Sequence, residues 1–141
     1  MDTCSQKIWV IAADLLAVDQ VCAEVTVFLQ TMGLSGQNFA VQMLLREALV
    51  NAVIHGCERN PAMQVRCEFS IGPESLRICV EDDGPGFDWR SALQFEPISD
   101  DLESGRGLLI YKFYAEQIEF NASGSRICLV RDFNKTSSQG V

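Results

Sequence analysis

The sequence predicts an α/β two-layer sandwich, a mixed and mostly antiparallel sheet with helices packed on one of its faces. Three observations carry this expectation. Apolar residues at every second position in Val65-Cys67-Phe69-Ile71 and again in Leu76-Ile78-Val80 flank the turn-forming run Gly72-Pro73-Glu74-Ser75, the pattern of a hairpin with one buried face. Upstream, apolar residues recur at helical spacing through two long segments, and downstream two further strand-like runs meet at Ser123-Gly124-Ser125. Hairpins with one apolar face and helices with one apolar stripe bury both by stacking layer on layer. Periodicity by itself supports the coarser α+β class.

The elements follow in order. Residues Ile8 to Ala13 read as a first strand. Leu15, Val18, Cys22, Val25, Phe28, Leu29 and Met32 then fall on one helical face, and Gly33 and Gly36 mark the stop. A second helix starts near Gln37 or Asn38, runs through Leu44, Leu45, Leu49, Ala52 and Val53 and ends at Gly56. The hairpin comes next, and its second strand places Asp82 at the last inward position. From Asp88 to Ser104 periodicity is lost, and the segment reads as a lid loop carrying Asp88, Glu96, Asp100, Asp101 and Glu103. A third helix bears Leu108, Leu109, Tyr111, Lys112 and Tyr114, followed by strands over about residues 117–121 and 126–132. A single domain over residues 1–133 is expected, with 134–141 as a disordered tail. Trp9 and Phe28 suit either the core or an interface.

Composition narrows the function classes. A net charge of −8 and a pI near 4.5 argue against direct nucleic-acid binding, which needs a concentrated basic surface. No apolar run approaches the roughly 20 residues of a membrane span. The first seven residues lack the basic start and apolar core of an export signal, so the expected location is the cytoplasm. None of the six cysteines is spaced as Cys-x-x-Cys, so no zinc site is indicated. Cys22, Cys67, Cys79 and Cys128 each stand where an aliphatic residue would serve, which favours buried thiols in a reducing compartment over a disulfide framework.

Two stretches hold most of the chemical information. In Glu47-Ala48-Leu49-Val50-Asn51-Ala52-Val53-Ile54-His55-Gly56, the residues Glu47, Asn51 and His55 recur every four positions, one polar stripe along an otherwise apolar helix. In Val80-Glu81-Asp82-Asp83-Gly84-Pro85-Gly86-Phe87, a buried strand delivers one carboxylate and turns away through two glycines. A third glycine pair, Gly105-Arg106-Gly107-Leu108, precedes the third helix, where unpaired N–H groups suit an anion. Each motif has a plainer reading. Asp-Gly is a common turn, Asn51 could satisfy a neighbouring loop, Glu47 could pair with Arg46 or Arg59, His55 could be a structural donor, and Gly-x-Gly could serve loop flexibility.

Taken together and in this order, the three motifs resemble the N box, G1 box and G2 box of the GHKL ATPase and kinase superfamily, over roughly Phe39 to Arg131. The resemblance implies the Bergerat-type ATP-binding fold and a pocket for ATP and Mg²⁺ between the helix layer and the lid. Asp82 would accept from the adenine amine, and Asn51 would bind the Mg²⁺ through its side-chain oxygen. His55, Gly84, Gly86, Phe87, Gly105, Arg106, Gly107 and Leu108 would line the nucleotide. Glu47 would be the general base.

With 141 residues and no upstream helix pair carrying a phosphoacceptor histidine, the resemblance narrows to the small stand-alone anti-sigma-factor serine/threonine kinases. It thereby implies a STAS-domain anti-anti-sigma protein as substrate, a sigma factor as the alternative partner, and self-association as a homodimer. The segment Asp88–Ser104 departs from the pattern, with Arg90 as its one basic residue, where many relatives carry Lys or Arg. That departure motivates a second reading, an ATP-gated protein-binding regulator with little or no kinase activity.

Overall fold

The computed structural model describes residues 5–85 and 109–134. The chain runs β1 (Ser5–Ala12), α1 (Leu15–Thr31), a 3-10 turn (Ser35–Gln37), α2 (Asn38–Asn51), a π turn (Ala52–Gly56), β2 (Gln64–Ile71) and β3 (Ser75–Asp82). After it come a short helix α3 over 109–114 and the strands β4 (Gln117–Phe120) and β5 (Arg126–Asp132). The five strands form one sheet in the order β1-β2-β3-β5-β4, and every neighbouring pair is antiparallel. The α/β architecture expected from the sequence is therefore present.

Register sorts the side chains between the two faces. Trp9 lies opposite Cys67, Cys67 opposite Val80, and Val80 opposite Ile127, so these residues share the face that meets the helices. Val65, Cys67, Phe69 and Ile71 are all buried, as are Leu76, Ile78 and Val80. The helices meet them with Val18, Val21, Cys22, Val25, Phe28 and Leu29 of α1 and with Val41, Leu44, Leu45, Ala48 and Leu49 of α2. Phe28 packs edge-on against Phe69 at 5.9 Å between ring centres, which assigns Phe28 to the core. Trp9 is half-buried beside it and donates its indole N–H to Glu24 at 3.0 Å.

Local chemistry sets the helix ends. Asp14 stands in extended conformation before α1 and accepts from the Ala17 N–H at 2.9 Å, an N-cap that satisfies one orphan donor. Leu15, expected on the buried face, is 43% exposed, and Val21 is buried instead. Leu15 is the first residue of α1, at the end of the helix next to its cap. The second helix does not run to Gly56 as a regular α-helix, because it widens into the π turn directly after Asn51.

The thiol expectation holds for Cys22 and Cys67, which are buried and free, and is corrected for the other two. Cys79 and Cys128 form a disulfide across β3 and β5, with Cα atoms 4.1 Å apart. They occupy the strand positions between the inward residues, so both point to the far face of the sheet, where the register sets them directly opposite. Alternation within each run separates them from the core. Their pairing depends on β5 lying beside β3, which no local pattern encodes. Among the described residues no helix is long and apolar enough to cross a membrane.

Candidate functional site

The site is built where the C-terminal end of β3 meets the end of α2. Asp82 is paired with Val65 on β2, and its backbone N–H donates to the Ser125 carbonyl at 2.9 Å, so β2 and the β4–β5 turn hold it from both sides. The neighbouring acid has a different task. Asp83 extends the hairpin by accepting from the Gln64 N–H at 3.0 Å and donating its own N–H to the Gln64 carbonyl at 3.2 Å. Of the two adjacent carboxylates, Asp82 is the inward one and only 8% exposed.

Asp82 lines a small cleft with Ala48, Ala52, Val80, Gly124, Ser125 and Ile127. One carboxylate among small and aliphatic residues can recognise a flat, largely apolar group that carries a hydrogen-bond donor. Burial pushes the Asp82 carboxyl above its ordinary range. The Gly84 N–H, donating to Oδ1 at 2.8 Å, opposes that rise, and the charges of Asp83 and Glu81 add to it.

Two glycines make this packing possible. A Cβ on Gly56 would overlap the Asp82 carboxylate, and a Cβ on Gly84 would overlap the Gly56 carbonyl. The π turn brings Gly56 to this contact. Its exit is closed by Cys57 N–H to Ala52 C=O and by Arg59 N–H to Val53 C=O, both 2.8 Å, with Glu58 and Arg59 in the left-handed region at φ 52° and 60°.

One turn earlier on α2, Glu47 and Asn51 are half-buried and directly linked, with Asn51 Nδ2 donating to Glu47 Oε2 at 3.0 Å. The same amide nitrogen donates to the Tyr111 hydroxyl at 3.2 Å. Tyr111 is 1% exposed, and burial pushes its phenol far above the usual range, with the Asn51 bond opposing the rise and the Glu47 charge adding to it. Among the described residues no ion pair involves Glu47. Arg46 pairs with Asp19 at 2.7 Å instead, on the exposed side of the helix pair.

The structure thus brings Glu47, Asn51, Asp82 and Gly84 to one end of the α2–β3 contact. His55 is exposed on the π turn and does not line the cleft, because the wider turn breaks the four-residue stripe. Gly86, Phe87, Gly105, Arg106, Gly107, Leu108 and the lid segment Asp88–Ser104 lie outside the described residues.

A divalent cation finds a suitable donor here. With Asn51 Nδ2 engaged by Glu47 and Tyr111, the hard carbonyl oxygen Oδ1 is the end of the amide left for a metal. Among the described residues no cluster of three or more His, Cys, Asp or Glu could cage an ion.

Several contributing residues are not evident from the sequence motifs. Ala48 and Ala52 form a wall of the cleft, and their four-residue spacing beside the polar stripe is a usable signal. Gly56 reads locally as a helix stop, and its contact with Asp82 exists only in three dimensions. Nothing in the sequence marks Tyr111, sixty positions from Asn51.

An anti-sigma F factor of Clostridium beijerinckii is 29% identical over 104 residues, which cover 69% of this chain and 72% of that protein. The description of histidine kinase-like ATPase domains matches residues 11–131, from β1 through nearly all of β5 and so across every element of the site. On that match, and on the acid, glycine and Glu–Asn geometry it encloses, this chain belongs to the family of histidine kinase-like ATPase domains.

Proposed function

We propose that this chain is an anti-sigma-factor-type serine/threonine protein kinase that acts in the cytoplasm. It binds Mg·ATP, phosphorylates a STAS-domain anti-anti-sigma protein and controls a sigma factor by exchanging one partner for the other. The observation that carries this reading is the Glu47–Asn51 hydrogen bond, formed by the chain neighbours of Ala48 and Ala52, which wall a cleft whose one buried carboxylate is Asp82. The likeness to an anti-sigma F factor supports the choice of kinase and of partners.

In this reading Asp82 accepts from the adenine amine, while Ala48, Ala52, Val80 and Ile127 meet the ring. Mg²⁺ supplies charge neutralisation at the phosphates when bound, and Asn51 holds it through Oδ1. Glu47 orients the acceptor hydroxyl and takes its proton as the oxygen bonds to the γ-phosphorus and the bond to ADP breaks. Gly86, Phe87, Gly105, Arg106, Gly107 and Leu108 complete the nucleotide contacts, and the protein works as a homodimer.

The test is calorimetry of Mg·ATP binding to wild type, Asn51→Ala and Asp82→Asn, followed by radiolabel transfer to a STAS protein encoded beside this chain. Binding by wild type, its loss in both variants and transfer to serine or threonine support the kinase. Binding without transfer replaces it with an ATP-gated regulator, and absence of binding overturns the nucleotide site.

A further inference from the structure

We propose that Tyr111 is a positioning residue for Asn51, which fixes the side-chain amide so that Oδ1 is the end presented to a divalent cation. The inference rests on the nucleotide-site reading above and adds to it a residue from outside the three motifs. An asparagine amide has two chemically opposite ends of nearly equal shape, and only the oxygen can ligate a hard cation. Its orientation therefore has to be imposed by its neighbours.

Glu47 imposes half of it. A carboxylate is acceptor-only, so the amide end 3.0 Å from Glu47 Oε2 must be the NH₂. One bond still leaves the amide free to pivot about it. The Tyr111 hydroxyl supplies a second contact to the same nitrogen, at 3.2 Å and from a different element, and two contacts on one end define the direction of the other. Tyr111 can act as a fixed point because its side chain is among the largest that are fully buried. Among the described residues no hydrogen bond reaches Asn51 Oδ1.

The arrangement also ties the two ends of the site together. Tyr111 lies on α3, directly after the Gly105-Arg106-Gly107-Leu108 stretch, and Asn51 closes α2. A residue that orients a metal ligand without touching the metal typically changes metal affinity about 10–100-fold when removed.

The experiment measures ATP affinity by calorimetry in EDTA and in Mg²⁺, for wild type and Tyr111→Phe, which keeps the ring and removes the hydroxyl. The expected result is an affinity in EDTA within about twofold of wild type, and a Mg²⁺-dependent gain smaller by about tenfold or more. A purely structural role would lower both affinities together and leave their ratio unchanged, and that result overturns the proposal. Should the phenylalanine variant lose its fold, Tyr111→Met, a flexible apolar side chain that also lacks the hydroxyl, carries the same expectation. Wild-type protein that binds ATP equally with and without Mg²⁺ also overturns the proposal while leaving the nucleotide site in place. Wild-type protein that binds no ATP overturns the nucleotide site itself.

Discussion

A buried carboxylate that is not neutralised costs stability, and Asp82 shows how the residues around it limit that cost without removing it. The Gly84 N–H holds Oδ1, yet burial still leaves the carboxyl raised above its usual range. A raised carboxyl contributes stability that is fully present below its unfolded pKa and is lost as pH rises through its folded value. Asp82→Asn keeps an oxygen for Gly84 and removes the charge, so thermal melting at neutral pH should show a Tm higher by roughly 2–5 °C, with ATP binding lost. The same shift predicts that wild-type ATP affinity falls on acidification with a midpoint above the ordinary carboxylate range, measurable by calorimetry across pH. Gly56→Ala forces a methyl into the Asp82 carboxylate. Overpacking of this kind costs about 1–3 kcal/mol, and denaturant titration should show that loss together with weakened nucleotide binding. At this scale Asp82 was legible from its place at the end of an alternating apolar run, and Glu47 from its four-residue spacing to Asn51. Gly56 and Tyr111 were not, because each acts through a contact with a residue far along the chain.

Elements were legible in proportion to how local their causes are. The β2–β3 hairpin announces itself because alternation and the Gly72–Ser75 turn lie in one short stretch, and the Gly72 N–H donates to the Ser75 carbonyl at 2.9 Å where the two strands meet the turn. Helix α1 announces its start with equal clarity. Asp14→Ala removes the bond to the Ala17 N–H and should cost about 1 kcal/mol in a chemical denaturation curve. The π turn after Asn51 carries no such mark. The sequence of α2 reads as one helical stripe through His55, and the widening at Ala52–Gly56 arises where the backbone has to reach Asp82. That is why the stripe predicted Glu47 and Asn51 in one place and put His55 there too, although it lies exposed outside the cleft. Arg131 is a further case. It is buried and opposite Leu76, and it bridges Gln37 at 2.9 Å and the Tyr114 carbonyl at 2.9 Å, tying β5 to the entrance of α2 and the end of α3.

At the scale of the whole molecule, the strand order inserts β5 between β3 and β4, and two features of the site follow from it. The β4–β5 turn reaches Asp82 through Ser125, and Cys128 comes to face Cys79. The disulfide closes a sequence separation of 49 residues that includes α3 and β4, so opening it enlarges the freedom of the unfolded chain. Melting with and without reductant should show a loss of about 2–4 kcal/mol on reduction, and the double variant Cys79→Ala, Cys128→Ala should melt like the reduced protein and ignore reductant. What the sequence determined by itself was the kind and order of the elements and the residues able to do chemistry, because helix and strand periods, turns and motif spacing are short-range properties. The tertiary structure alone decided which cysteines pair, where α2 widens, and which tyrosine holds Asn51. Those outcomes depend on register and on contacts between distant segments, where close packing admits one arrangement and local preference does not choose among several.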